Sequence, residues 1–167
     1  NRSGFDKFKD IRVREAMFRA IDRKALVNAL QPKEIAAQPL QQAMCHPWHY
    51  ACASSIDPPS YDPAKAKQLL KEAGLADGFN VTIATWGAAR PVAEAVAGQL
   101  RKVGINASID TLTSTGFVTK RAAGQLQAFI VLWDNGGGSP DVESTVNFMY
   151  EKGDRNYNQD PQLEDLQ

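Results

Sequence analysis

Four side chains able to hold a metal ion or form a covalent bridge fall close together: Cys45, His46, His49 and Cys52. Thiolates and imidazoles are the usual zinc ligands, but structural zinc sites commonly separate two ligand pairs by a dozen or more residues, and this spacing matches none of the common arrangements. Two cysteines this near each other can instead close a small ring where the surroundings are oxidising. By loop entropy such a ring is worth about 2.5 kcal/mol before strain is subtracted. In a reducing compartment they would remain two thiols. A disulfide between Cys45 and Cys52, and no metal, is the expectation. The only histidines are the two in this loop, so a histidine-dependent triad would have to be built there, and no Gly-x-Ser-x-Gly elbow supplies a nucleophile. The carboxylates are spread along expected helix surfaces, where solvated faces are their usual role. No catalytic residue is assigned, and a zinc-dependent or other enzymatic domain using the Cys/His loop stays as the alternative.

A second constellation has a different chemistry. The run Asn135-Gly136-Gly137-Gly138-Ser139-Pro140 invites a phosphate-loop reading, but the Gly-Lys-Ser/Thr ending is absent and Pro140 removes an amide donor. Adjacent glycines instead let backbone approach a ligand closely or allow a hinge. Two tryptophans, Trp86 and Trp133, each close an apolar stretch, followed by Gly87 to Arg90 in one case and by Asp134, Asn135 and Gly136 in the other. Indole faces beside one cation, one carboxylate and small residues suit an organic solute carrying polar groups. The competing reading is that each indole merely caps the core at a strand end. The expected ligand-binding set is Trp86, Arg90, Trp133, Asp134, Asn135 and Gly136, and no cofactor is called for.

These residues need elements to bring them together. The chain has 167 residues, 43% hydrophobic and 23% charged, a balance that permits one globular core. Nineteen basic residues balance nineteen acidic ones, which argues against nucleic acid as a partner. No apolar run is long enough to span a bilayer, and the polar start carries no signal-peptide stretch, so a mature chain or a piece of a longer one is expected. Helical spacing runs from Ile11 to Leu30, as one helix or as two joined at Asp22, with Asp10 able to cap the start. Residues 31–61, with five prolines, read as largely irregular. Asp62, Pro63 and Gly74 punctuate a helix between them. After Asp77-Gly78, the chain reads as a strand from Val81 to Trp86, a helix from Val92 to Val103, a strand over Ile105 to Thr111, a short helix around Phe117, and an apolar strand from Ala128 to Trp133 buried on both faces. Strand, helix, strand, helix, strand is most simply a parallel sheet flanked by helices, an α/β fold. In such sheets ligands bind beyond the carboxyl ends of the strands, which would gather Trp86, Arg90, Thr113, Ser114 and Trp133 on one rim.

Several segments share one pattern: Asp10-Ile11-Arg12-Val13-Arg14-Glu15-Ala16 into Ala20-Ile21-Asp22-Arg23, Tyr61 to Leu70 with Glu72-Ala73-Gly74, Asp77-Gly78-Phe79, Ala95 to Leu100 with Val103-Gly104-Ile105, and Asn156-Tyr157-Asn158. Together they resemble the extracytoplasmic solute-binding proteins of ABC importers, in the family that includes peptide, nickel and opine receptors. The resemblance implies a periplasmic-binding-protein type II lobe, with residues 1–167 forming the second, C-terminal lobe of a two-lobed receptor whose other lobe is absent from this chain. It further implies a periplasmic or cell-surface location, a membrane permease as partner, and hinge closure on a peptide, an opine or a similar polar organic solute. Peptide-binding members carry an Asp three residues after the strand-end Trp; that place is Gly136 here, with Asp134 nearby. Arg90 after Gly87 resembles a stretch some members carry at the corresponding strand, which implies an anionic group of the solute beside it.

Overall fold

A computed structural model describes residues 5–33 and 59–131. The cysteine and histidine loop, Trp133 and the glycine run, and Asn156 to Asn158 lie outside the described residues.

The first helical stretch is two helices, α1 (Ile11–Ala20) and α2 (Arg23–Leu30), preceded by a 3-10 turn at Asp6–Lys9. The break follows from the polar cluster at Asp22. Its side chain accepts the Ala25 N–H at 2.9 Å and so starts a new helix instead of continuing the old one. Asp10 caps α1 in the same way, accepting the Arg12 N–H at 2.9 Å. The guanidinium of Arg12 folds back onto the Asp10 carboxylate, also donating to the Glu72 carbonyl at 2.7 Å. The Arg12 side-chain and backbone hydrogen bonds hold the Asp10 carboxyl below its ordinary pKa.

Helix α3 (Pro63–Glu72) has the expected punctuation. Asp62 accepts the Lys65 N–H at 2.8 Å, Pro63 occupies the first turn, and Gly74 adopts φ +75° past the end. The Leu75 N–H then reaches back to the Leu70 carbonyl at 2.8 Å and the Gly74 N–H to Lys71 at 3.0 Å, the paired bonds of a Schellman ending.

Strands β1 (Phe79–Trp86), β2 (Ile105–Leu112) and β3 (Ala128–Phe129) form a parallel sheet in the order β2-β1-β3. Helix α4 (Arg90–Arg101) joins β1 to β2, and α5 (Ser114–Ala122) joins β2 to β3. One face of the sheet, through Phe79, Val81, Ile83, Ile105 and Ala107, packs against Val13 and Ala16 of α1, Leu69 and Leu70 of α3, and Val96, Ala97 and Leu100 of α4. Among the described residues, the other face is covered only over its carboxyl half. There Phe117 of α5 sits on Ala84 and Leu126, with Trp86, Leu112, Phe129 and Val131 around it. Its amino half stays open and polar: Asn106 donates to Asn80 at 3.0 Å, and Ser108 to the Thr82 hydroxyl at 3.3 Å.

At the amino end of the sheet two glycines meet. A Cβ on Gly78 would lie 1.9 Å from the Gly104 carbonyl oxygen, and Gly78 itself has φ +76°. Only glycine fits, and the contact lets the Phe79 N–H bond to the Gly104 carbonyl at 3.3 Å just where β1 begins beside β2.

The parallel α/β fold expected from element order is therefore present. The expectation for the third strand is met in part: Ala128 and Ile130 pack on one core cluster and Phe129 and Val131 on the other, yet all four are only half-buried, and the strand itself is two residues long.

Candidate solute-binding rim

The carboxyl ends of β1 and β2 lie side by side, with Trp86 opposite Leu112 in the register. Each strand passes straight into the start of a helix: β1 through a 3-10 turn at Gly87–Ala89 into α4, and β2 through Thr113 into α5. Two helix N-termini, each carrying partial positive charge, consequently open on the same end of the sheet. Thr113 caps α5, its hydroxyl accepting the Gly116 N–H at 3.1 Å, while Ala89 gives α4 no side-chain cap.

Trp86 stands at this end, half-buried, with its ring edge-on to Phe117 at a centroid distance of 4.5 Å. Phe117 in turn meets Phe129 of β3 edge-on at 5.5 Å. One indole edge thus belongs to the core, where Trp86 packs on the second-face cluster, and part of the ring stays exposed at the rim. Arg90 opens α4 four residues after Trp86 in an exposed position, where its Nε donates to Glu94 Oε1 at 2.8 Å. Such an exposed i,i+4 pair is weak, about 0.3–0.5 kcal/mol, so the guanidinium can exchange Glu94 for another anion at little cost. The structure brings Trp86 and Arg90 to one end of the sheet together with Thr113 and Ser114. Trp133, Asp134, Asn135 and Gly136 lie outside the described residues, as does the Cys45–Cys52 pairing.

The chain approaches the same rim along β3. Past the paired residues, the Ile130 N–H donates to the Ala84 carbonyl at 3.0 Å, and Val131, like Trp86, packs on the Phe117 cluster. Two residues that sequence reasoning passed over shape this end. Phe117 is the platform under Trp86, and Thr85 is fully buried with its hydroxyl on the Ile130 carbonyl at 2.8 Å. The second carried a signal: a threonine in the inward series Phe79, Val81, Ile83, Thr85 has to find a buried partner for its hydroxyl.

The described rim pairs an aromatic surface with a cation and two helix N-termini, a setting for an organic molecule bearing an anionic group. No described cluster of three or more His, Cys, Asp or Glu side chains could hold a metal ion, and no described helix is long and apolar enough to cross a membrane.

Comparison with known proteins shows the family. Residues 2–157 match the bacterial extracellular solute-binding proteins, family 5. The chain is similar to di/tripeptide-binding protein 1 of Pseudomonas aeruginosa, at 30% identity over 141 residues, covering 80% of this chain and 26% of that protein. It is also similar to the dipeptide-binding protein of a Pseudoalteromonas species solved with Met-Leu, with a TM-score of 0.68 and 26% identity over 82% of this chain and 27% of the other. The periplasmic binding protein AgaA of Agrobacterium, solved with agropinic acid, shares the fold with a TM-score of 0.75 at 24% identity, over 99% of this chain and 35% of that one. The chain spans about a quarter of the length of the curated relative it matches. On the family match over nearly its whole length and on its parallel α/β fold, this chain belongs to the bacterial extracellular solute-binding proteins of family 5.

Proposed function

We propose that this chain is one lobe of a two-lobed extracytoplasmic receptor that captures a solute for an ABC importer, without catalysing a reaction. The observation that carries the reading is the convergence of Trp86, Arg90 and the N-termini of α4 and α5 at one end of a parallel sheet, in a chain of this family. The solute lies against that end and is enclosed when a second lobe, outside these residues, closes over it about a hinge. Trp86 offers an indole face, and Arg90 leaves Glu94 to pair with an anionic group of the solute. Trp133, Asp134, Asn135 and Gly136 complete the rim from the segment after β3, and Cys45 pairs with Cys52 in the oxidising compartment outside the cytoplasm.

A short peptide is the preferred solute, since it has a carboxylate for Arg90 and the similar proteins from Pseudomonas and Pseudoalteromonas are named for peptides of two or three residues. Opines and similar polar organic acids share the carboxylate and remain in the class. The remaining partner is a membrane permease; the even balance of charge favours no nucleic acid. The test is calorimetric titration of the full-length receptor with the dipeptide Met-Leu and its amidated, carboxylate-free form. Saturable binding that weakens on amidation, and weakens by about 1–3 kcal/mol in Trp133→Ala, supports the reading. Equal affinity for both forms removes Arg90 from its role, and unchanged affinity in Trp133→Ala removes that indole from the rim.

A further inference from the structure

The backbone pairing that attaches β3 to the sheet covers two residue pairs, Ile83 with Ala128 and Ala84 with Phe129. So short a parallel pairing is a weak attachment for the strand that leads the chain to the rim. Two side chains and one backbone bond extend it. Before it, Gln127 Oε1 accepts the Thr82 N–H at 2.8 Å. After it, the Ile130 N–H donates to the Ala84 carbonyl, and the Thr85 hydroxyl donates to the Ile130 carbonyl at 2.8 Å.

Thr85 is 0% exposed. Its neighbours along the same face of β1 are Val81 and Ile83, and a valine of the same shape would bury there without any need of a partner. What the hydroxyl adds is a fixed point on Ile130, the residue before Val131, which packs on the same Phe117 cluster as Trp86. We propose that Thr85 is a positioning residue for the solute rim, its hydroxyl holding the Ile130 carbonyl so that the end of β3 stays level with Trp86. The inference rests on the rim being the solute site. Thr85 touches no solute; it acts through the path of β3.

The experiment compares Thr85→Val, which keeps the shape and loses the donor, with Thr85→Ser, which keeps the donor. Both are made in the full-length receptor, with Met-Leu as the probe, well below the unfolding temperature. Thr85→Val is expected to lose about fivefold in affinity, while Thr85→Ser stays within about twofold of the parent. Amide exchange over residues 128–131 should quicken in the valine variant and return in the serine one. A purely structural role would lower the unfolding temperature of Thr85→Val and leave the affinity of the folded receptor unchanged, and that result overturns the proposal. Trp86→Ala measured alongside separates the two claims. If it weakens binding while Thr85→Val does not, the positioning role alone fails; if neither changes affinity, the rim is not the solute site and both fall.

Discussion

The two ends of the parallel sheet are built on different principles. At the amino end, β1 and β2 are brought together by backbone meeting backbone, Gly78 against Gly104, with Phe5 and Phe8 packed around Phe79. At the carboxyl end, the arrangement depends on a few side chains: Trp86 on Phe117, Thr85 on Ile130, Arg90 on Glu94. Close packing leaves no room to adapt, whereas an exposed ion pair such as Arg90–Glu94 can exchange its partner at little cost. The amino end fixes the fold and the carboxyl end is free to vary in chemistry.

The sharpest way to break this comparison is Gly78→Ala. The new Cβ would collide with the Gly104 carbonyl in a left-handed backbone conformation, and we expect a loss of about 3 kcal/mol in denaturant unfolding of the receptor. Gly74→Ala is the control. It has a similar φ of +75° but open space around it, so only the backbone cost of about 1 kcal/mol should appear. If the two variants were equally stable, close approach at the amino end would not be what sets β1 beside β2. Neither change should alter solute affinity in molecules that remain folded.

Trp86→Ala should reverse the pattern, costing about 1–3 kcal/mol in solute binding. It should also lower stability, because Phe117 loses its ring partner; a stability loss with no change in affinity would place Trp86 wholly with the core.

The smallest effect concerns acid. The carboxyl of Asp10 is held below its ordinary pKa by Arg12. A depressed folded-state pKa contributes stability that is complete above the unfolded value, about 3.9, and is lost as pH falls through the folded one. Between neutral pH and about 5 the α1 cap should therefore leave stability flat. Below that, parent and Asp10→Asn should converge in unfolding temperature. A gap that persisted unchanged at the lowest pH would show that the cap does not depend on ionisation.

Most of the fold was legible because its signals are local. Asp10, Asp22, Asp62 and Gly74 mark helix ends by hydrogen bonds within a turn of themselves, and the two-residue alternation of Val81, Ile83 and of Ile105, Ala107 marks an inward face. The apolar run of the third strand announces two packed faces without saying how deeply each is covered. Ala128 and Phe129 are half-buried and sit at the flank of β1, a fact of sheet order that no local pattern encodes. At the rim, Trp86 and Arg90 could be placed from strand order alone. The pairing of Trp86 with Phe117 joins residues far apart in sequence, and the hold of Thr85 on Ile130 depends on how far β3 runs beside β1.

The open half of the second sheet face has a consequence for the molecule in water. Asn80, Thr82, Asn106 and Ser108 satisfy one another across neighbouring strands, so the bare surface presents amides and hydroxyls that hydrate readily. A layer left without a helix over half its area would otherwise be a sticky plane inviting like molecules to stack on it. Among the described residues, that area is furnished instead with a wettable lattice of small polar groups.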